Sequence, residues 1–375
     1  MEETVTQGSP RLRVLHVILM LGETNGQYNE HCLPLMHDRD LTICTYFTPK
    51  LTPPPAITLF AGNSSLIGFF RALRAALKAK KYDVVHVHAP QSGGLVLAAT
   101  MAWGWYRRLR RRLVYTVQDS FYDYSRRNQL LTLVSLLGFD RVIFCSHAAL
   151  ASIPEPFRRM VKGKSRVVPN AADIDRVDRS IQGIVRGDGA PSTVAWVGRM
   201  EPVKDPSVAI SAFASALPNS QMVMIGAGSM AETVASAVRA QGLGDRIELT
   251  GLIPREEVFA HCARADLFLS VSHGEGMPVA VIEAMATECP VVLSDIPPHR
   301  ELAEGAPFIP LVPVGDVEGF AREIRRFWEM TPEERSAIGR RSRAHVVARY
   351  SLPTMHAGVE EVYRRDSPAA APAMP

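Results

Sequence analysis

Two carboxylates eight residues apart are the feature of this sequence that most directly suggests chemistry. Glu275 lies in the glycine-flanked stretch HGEGMP, and Glu283 lies in the apolar stretch that follows it. Because proline favours the first position of a helix, a helix is predicted to begin near Met277 or Pro278. The free N–H groups of Gly276 and Met277 would then face an anion. Two carboxylates beside a phosphate-binding helix start suit the hydroxyls and phosphates of a nucleotide sugar.

A pair of cations follows a predicted strand earlier in the chain. Arg199 and Lys204 lie in the stretch VGRMEPVKDP, where Gly198 ends the strand. A planar guanidinium can bind two phosphate oxygens, and a lysine ammonium adds a mobile point charge beside it. The stretch IGAGSM places Gly226 and Gly228 between a strand and a helix, where backbone can approach a ligand closely. Both stretches are suited to a diphosphate.

The stretch from Glu275 to Glu283 resembles the E-x7-E signature of retaining glycosyltransferases of family 4. Members of that family have the GT-B fold, an α/β fold in which two Rossmann-like doubly wound domains face a central cleft. The resemblance implies that Glu275 contacts the transferred sugar and that Glu283 contacts the donor's ribose. VGRMEPVKDP is similar to the family's G-R…K element, which implies that Arg199 and Lys204 bind the donor diphosphate. Glu275, Arg199 and Lys204 are therefore the predicted catalytic residues.

Other stretches extend the resemblance towards both substrates. TGLIPREEV, which contains Ile253, is similar to the segment whose backbone reads the base, and LGETNGQYNE resembles the glycine-rich loop that contacts donor phosphate. DVVHVH resembles a strand that ends at the cleft, and Gln118 stands where many members carry a cleft-lining histidine. Glutamine can hydrogen-bond a sugar hydroxyl but cannot shuttle a proton. The predicted substrate-binding residues are Glu283, Gly276, Met277, Pro278, Gly198, Gly226, Gly228, Ile253, Asn25, Gly26, His88 and Gln118.

Strand-like apolar runs alternate with helical patterns along the whole chain, as in parallel sheets covered by helices. Eleven strands are predicted, and two Rossmann-like domains accommodate them better than one sheet. We expect an acceptor-side domain over 1–172 and a donor domain over 173–345, separated by the polar stretch 173–192. The resemblance implies that a C-terminal helix over 346–365 crosses back to the first domain. Residues 366–375 are predicted to form a flexible tail.

Composition limits the class of protein. The 375 residues are 47% hydrophobic and 21% charged, which is ordinary for a globular protein and excludes wholesale disorder. Five cysteines are scattered without C-x-x-C spacing, which is typical of reduced thiols in a cytosolic protein. The apolar stretch 93–106 would span only about 21 Å as a helix, too short for a bilayer. We therefore predict a cytoplasmic protein with no nucleic-acid partner.

Neither a metal nor a cofactor is predicted. Asp38-Arg39-Asp40 spells the D-x-D motif of metal-dependent GT-A transferases, but it lies before a predicted strand and has no partner ligands in sequence. The eleven histidines show no H-E-x-x-H or similar spacing. A nucleotide-diphosphate sugar is thus expected as a donor substrate that needs no metal.

Positive charge is concentrated in one part of the chain. The formal net charge is +4, yet residues 71–112 contain ten Lys or Arg and one acid, Asp83. Trp103, Trp105 and Tyr106 stand beside the second half of this basic cluster. Basic and aromatic residues together favour an anionic membrane surface, so residues 66–112 are predicted to make peripheral membrane contact. The competing interpretation is a solvated charged face with tryptophans in the core.

The sequence therefore predicts a retaining, metal-independent glycosyltransferase that uses a nucleotide-diphosphate sugar. The acceptor would be a glycan, a lipid-linked saccharide or a small molecule. A non-catalytic nucleotide-sugar-binding subunit of a larger complex is the alternative, which Gln118, Asn25 and the Pro297-Pro298 loop favour slightly. A GT-B epimerase or phosphorylase is disfavoured because no lysine has a context suited to pyridoxal phosphate.

Overall fold

Two parallel β-sheets organise the molecule. The computed structural model describes residues 11–23, 25–184 and 193–364. The strands are β1 Arg13–Ile18, β2 Asp40–Thr45, β3 Ile57–Ala61, β4 Val84–His88, β5 Leu113–Val117, β6 Arg141–Phe144, β7 Ser165–Val167, β8 Thr193–Val197, β9 Gln221–Ile225, β10 Ile247–Gly251, β11 Leu267–Ser270, β12 Val291–Ser294 and β13 Leu311–Val312. The first sheet has the order β3-β2-β1-β4-β5-β6-β7, and the second has the order β10-β9-β8-β11-β12-β13.

Helices cover both faces of each sheet. They are α1 Gly26–His31, α2 Leu66–Ala79, α3 Pro90–Ala102, α4 Tyr106–Leu109, α5 Arg126–Gly138, α6 His147–Ser152, α7 Glu155–Val161, α8 Ile174–Ile181, α9 Pro206–Ala216, α10 Ala231–Ala240, α11 Arg255–Arg264, α12 Val279–Ala286, α13 Pro297–Leu302, α14 Val317–Glu329, α15 Pro332–Arg349 and α16 Leu352–Tyr363. Central strands such as β4 and β11 are buried at every position, as parallel strands covered on both faces must be. The predicted α/β fold of two doubly wound domains is confirmed.

All eleven predicted strands are present, and two short edge strands were missed. β3 and β13 each lie at the edge of a sheet. β3 has only one fully buried residue, Ile57. β13 is only two residues long. An edge strand contacts one neighbour only, and its hydrophobic signal is correspondingly weak.

Each sheet reverses its strand order beside its first strand. β1 lies between β2 and β4, and β8 lies between β9 and β11. In open α/β sheets, ligands bind outside the carboxyl ends of the strands at such a reversal. The loops that follow β1 and β8 contain Asn25-Gly26 and Arg199 with Lys204. The topology therefore directs both predicted phosphate-binding loops to positions where ligands bind.

The C-terminal helix packs on the first domain. Met355 and Val359 of α16 are buried with residues of the first sheet, and Glu360 forms an ion pair of 2.9 Å with Arg39. The helix begins at Leu352 rather than at 346, because 346–349 complete α15 and the chain is extended at Ser351. The predicted boundary at 172 is followed at once by α8, a helix in a stretch expected to be a polar linker. The predicted tail, 366–375, lies outside the described residues.

Polar groups join the two domains beside the cleft. The Ser120 and Ser146 hydroxyls donate to the carbonyls of Glu275 and Gly276 at 2.8 and 2.7 Å. The Glu301 carboxylate accepts hydrogen bonds of 2.8 Å from the first two N–H groups of α6. These contacts bring the E-x7-E segment against the first domain. Among the described residues, no helix combines the length and apolar character that crossing a bilayer requires.

Candidate active site

A cleft of about 420 Å³ lies between the domains and collects most of the predicted site residues. Ten of them line it: Gly26, Gln118, Gly198, Arg199, Lys204, Gly226, Ile253, Glu275, Met277 and Glu283. Pro278 instead lines a small adjoining cavity together with Lys204 and Glu275. Residues more than 250 positions apart in the chain therefore meet in one space. Their roles as substrate ligands stay predictions.

The first carboxylate is held by a lysine. Lys204 ends a 3₁₀ turn after β8, and its ammonium forms an ion pair with Glu275 Oε1. The Ser272 hydroxyl donates to the same oxygen at 2.8 Å. Burial opposes ionisation of Glu275, yet Lys204 and His299 together keep the pKa of this carboxyl below its ordinary value. Glu275 is therefore a charged, oriented carboxylate in the cleft.

The second carboxylate is held by an arginine that the sequence analysis did not single out. Glu283 lies on α12 and is buried; Arg255 begins α11, and its Nε donates to Glu283 Oε1 at 2.7 Å. Arg255 Nη2 contacts the same Oε1 and lies 3.7 Å from Glu30 Oε1 of the first domain. The stretch TGLIPREEV carried the signal, because Arg255 is a charged residue at a helix start that follows the carboxyl end of a parallel strand, where ligands bind.

The helix between the two carboxylates begins later than predicted. α12 starts at Val279, and Pro278 is its N-cap with φ −81° and ψ 77°. Gly276 is turned towards the first domain, where a Cβ would lie 2.0 Å from the Gln118 carbonyl oxygen. It does not line the cleft, and its predicted role as a phosphate ligand is not supported by this placement. Met277 does line the cleft.

The glycines after β9 allow their loop to pack closely against the backbone of the loop after β8. Gly226 has φ 140°, and a Cβ there would lie 1.8 Å from the Gly198 carbonyl oxygen. Gly228 packs against the Met200 backbone in the same way and does not line the cleft. Asn25 is also withdrawn from the cleft, because its side chain caps α1 by accepting from the Tyr28 N–H at 2.8 Å.

His88 does not lie at the cleft, and that prediction is wrong. It is buried with His16, His31 and His86, and its Nε2 is 3.1 Å from His16 Nδ1. Parallel pairing of β1 and β4 places His16 beside His86, so the cluster forms between residues that sequence spacing does not connect. Burial lowers the pKa of His16, His86 and His88 and keeps these rings neutral.

Nitrogens of His16, His86 and His88 lie within 4.8 Å of one another, close enough to raise the question of a metal ion. Both His86 nitrogens, however, make hydrogen bonds of 2.6 Å, to Tyr363 and Thr116. A histidine ligand usually donates its second ring N–H to a partner. The facing nitrogens of His16 and His88 already bond each other, so a metal bound by these two nitrogens and one His86 nitrogen would displace two existing bonds. Hydrogen bonding accounts better for this cluster.

Gln118 lines the cleft beside Asn170. Its side-chain carbonyl accepts a weak hydrogen bond of 3.5 Å from Asn170. The neighbouring Asp119 has a raised pKa because it is buried and near Glu275, an effect that Arg199 and Lys204 partly offset. Asp119 and Glu275 thus lie near Arg199 and Lys204, an arrangement that can orient a sugar and stabilise a departing diphosphate.

The sequence matches two family profiles that together span both domains. Residues 181–345 match the profile described as Glycosyl transferases group 1, and residues 36–176 match Glycosyltransferase Family 4. This chain belongs to glycosyltransferase family 4. The residues that carried the resemblance in the sequence, Glu275, Glu283, Arg199 and Lys204, all fall in the first of these matches.

Relatives of known activity and structure agree with this assignment. The UDP-Gal:α-D-GlcNAc-diphosphoundecaprenol α-1,3-galactosyltransferase of Escherichia coli is 24% identical over 313 residues, which are 78% of this chain and 77% of that protein. Sucrose-phosphate synthase of Thermosynechococcus elongatus superimposes with a TM-score of 0.77 at 18% identity, covering 95% and 99% of the two chains. HepE of Anabaena, in complex with UDP and glucose, superimposes with a TM-score of 0.73 at 18% identity, covering 94% and 99%. The structural matches show a shared GT-B fold.

Proposed function

We propose that this glycosyltransferase moves a sugar from a nucleoside-diphosphate sugar with retention of anomeric configuration. The observation that carries the proposal is the meeting of Arg199, Lys204, Glu275 and Glu283 in one interdomain cleft. HepE, which shares the fold, was crystallised with UDP and glucose. The donor would lie along the second domain, with its diphosphate near Lys204 and its ribose near Glu283.

The leaving diphosphate would be stabilised by side chains rather than by a metal. The Lys204 ammonium forms an ion pair with Glu275. A bound phosphate would draw this ammonium towards itself and leave the Glu275 carboxylate free to bind a sugar hydroxyl. Arg199 is exposed at the rim and can bind phosphate oxygens without losing a buried partner. Preorganised cations of this kind stabilise charge that develops on a leaving group. Retention would follow from a front-face reaction in which the departing phosphate helps to deprotonate the acceptor.

The first domain offers a surface suited to a lipid-linked acceptor. α2 carries Leu66 and Ile67 at its first turn, with 49% and 65% of their surface exposed, and basic residues along its length. Arg74 lies 5.9 Å from the rings of Trp103 and Trp105, which are only partly buried. The E. coli relative acts on an acceptor linked to undecaprenol diphosphate. A peripheral membrane position would bring the cleft near such an acceptor.

The donor and the reaction can be tested together. We expect one of UDP, GDP, ADP or dTDP to raise the melting temperature, because a ligand that binds only the folded state stabilises it. The matching sugar nucleotide should then support transfer to a polyprenyl-diphosphate saccharide, with the anomeric configuration read from proton coupling constants. Transfer should persist in excess EDTA. Inversion, or loss of transfer restored by Mn²⁺, would contradict the proposal, and binding without any turnover would favour the non-catalytic alternative.

Membrane contact requires its own test. Co-sedimentation with anionic vesicles should exceed that with neutral vesicles and should fade as salt rises, because screening weakens attraction to the headgroups. Ile67→Ser should weaken binding, and the equally exposed Leu130→Ser on α5 is the matched control. Equal, negligible binding to both kinds of vesicle would leave a water-soluble acceptor as the substrate.

A further inference from the structure

The ion pair beneath the proposed ribose position has an unusual arrangement. An arginine fork commonly binds a carboxylate with one nitrogen on each oxygen. Here Arg255 Nε and Nη2 both contact Oε1 of Glu283, so neither of these bonds occupies Oε2. The Glu283 side chain is buried at the wall of the cleft. A single oxygen of Glu283 therefore anchors the arginine, and the other remains available to a ligand.

A second buried carboxyl explains why the fork does not close on both oxygens. Glu30 Oε1, on α1 of the first domain, lies 3.7 Å from Arg255 Nη2, the nitrogen that a symmetric fork would turn towards Glu283 Oε2. The Glu30 side chain is more than nine-tenths buried and faces the cleft. Its distance from Arg255 is longer than a good charge-assisted hydrogen bond. Two buried carboxyls thus compete for one guanidinium across the domain interface.

Neighbouring hydrogen bonds fix the positions of Glu30 and Arg255 relative to each other. His356 of the C-terminal helix bonds the Glu30 carbonyl at 2.7 Å. Arg176 of α8 donates hydrogen bonds to the side chains of Asn29, at 3.0 Å, and Glu256, at 2.9 Å. Asn29 precedes Glu30 in the chain, and Glu256 follows Arg255. Adjacent residues of α1 are therefore tied to adjacent residues of α11. The distance between Glu30 and Arg255 is consequently set by how the two domains sit against each other.

We infer that Glu30 and Arg255 are positioning residues that keep Glu283 Oε2 open for the donor's ribose hydroxyls when the domains are together. This inference rests on the proposed function and extends it to domain closure. Arg255 fixes Glu283 through Oε1, and Glu30 holds the second arm of the fork away from Oε2. If the domains part, Glu30 withdraws, the fork closes on both oxygens, and the ribose loses its acceptor. Ribose recognition is thereby tied to the closed arrangement.

The experiment compares a nucleotide with a counterpart that lacks both ribose hydroxyls. The probes are UDP and 2′,3′-dideoxy-UDP, or GDP and its dideoxy counterpart if GDP binds more tightly, titrated calorimetrically at pH 8.5. We expect wild type to bind the ribonucleotide at least tenfold more tightly, because a hydrogen bond to a charged group is stronger than one between neutral groups. Glu30→Gln and Arg255→Lys should each reduce that preference to about twofold. The double variant should show no further loss, since both residues act on the same oxygen.

The preference ratio distinguishes positioning from a structural role. A variant that is merely less stable loses affinity for both probes equally and keeps the ratio. Glu257→Gln, at an exposed position of α11 two residues from Arg255, is the matched control and should behave as wild type. The inference would be overturned if Glu30→Gln and Arg255→Lys both kept the wild-type preference for the ribonucleotide. It would also be overturned if the losses of preference multiplied in the double variant. Either result would leave the proposed function unaffected. Failure of wild type to bind either nucleoside diphosphate would overturn both.

Discussion

At the scale of single residues, the site joins each of the two predicted carboxylate ligands to a partner of opposite charge. Glu275 has Lys204, and Glu283 has Arg255. A buried carboxylate needs such a partner, because an uncompensated charge in the interior is costly. Lys204 is suited to release Glu275 when a phosphate arrives, whereas Arg255 keeps Glu283 in place. Ion pairing therefore allows the two carboxylates to be buried and keeps them oriented for a substrate.

The two proposed diphosphate ligands should respond differently to removal. Arg199→Ala and Lys204→Ala should each lower turnover by roughly a hundredfold through loss of a contact to the leaving group. Only Lys204→Ala should also lower the melting temperature, because Lys204 compensates the buried Glu275 whereas Arg199 is exposed. Steady-state kinetics and thermal unfolding of both variants, with Lys204→Arg for comparison, check this. Near-normal turnover in both would place the phosphate site elsewhere.

Glu30 should make stability depend on pH. Burial raises the pKa of Glu30 to about 8. Arg255 opposes this rise, and the nearby Glu283 adds to it. His356 bonds the backbone carbonyl of Glu30, not its carboxyl group. The folded state therefore holds a proton that the unfolded state releases near 4.5, so stability is lost as pH rises from about 4.5 to about 8.

Glu30→Gln should therefore melt several degrees above wild type at pH 8.5 and level with it at pH 4.5. Thermal unfolding of the two proteins across this range is the measurement, and their difference removes the titration of other groups. A constant difference at all pH values would show that folding does not shift the pKa of Glu30. Higher stability combined with weaker ribose preference would indicate that Glu30 is retained for binding.

At the scale of elements, the loop before α12 forms part of the domain interface. Gly276 lies against the backbone of Gln118 and Asp119, where a Cβ would come within 2.0 Å of a carbonyl oxygen. Backbone atoms cannot move aside as a flexible side chain can. Gly276 is thus required because a side chain would collide with the first domain, and not because a turn needs its backbone conformation.

Gly276→Ala should push the domains apart at the cleft. We expect turnover to fall at least tenfold and stability to fall by about 1–3 kcal/mol, the usual cost of overpacking. Gly244→Ala, where a Cβ would meet nothing within 4 Å, is the control for the substitution itself. Kinetics and denaturant unfolding of both variants provide the test. Unchanged turnover in Gly276→Ala would mean that the domains separate without cost to the reaction.

At the scale of the whole molecule, polar contacts join the two domains beside an apolar cluster that contains residues of both. Glu301 of the second domain accepts hydrogen bonds from the N–H groups of His147 and Ala148, which begin α6 in the first. A carboxylate at a helix start also interacts favourably with the helix dipole. This contact is well suited to stabilise a closed arrangement that can still open.

Glu301→Ala should favour separation of the domains. Loss of two charge-assisted bonds should lower the free energy of unfolding by about 1–3 kcal/mol and increase the radius of gyration measured by X-ray scattering. Nucleotide addition should reverse the increase. Glu304→Ala, which removes an exposed carboxylate nearby, should leave the radius unchanged. A normal radius in Glu301→Ala would show that the remaining contacts suffice for closure.

The sequence by itself determined the fold class, eleven of the thirteen strands that the structure describes and ten of the residues that line the cleft. These properties follow from local signals. Continuous apolar runs mark buried parallel strands, and charged or glycine-rich stretches after them mark the edge at which ligands bind. Glu275 and Glu283 are separated by a helical segment and needed no long-range contact to be recognised as a pair.

Tertiary structure decided which groups those residues face. His88 joins His16 because β1 and β4 are neighbours, and Glu30 reaches Arg255 because two domains meet. Gly276 contacts the first domain instead of lining the cleft for the same reason. Sequence spacing reports neighbours along one element, whereas strand order and domain contact set distances between elements. The partners that orient the carboxylates, and the contact that can link binding to closure, depend on those distances.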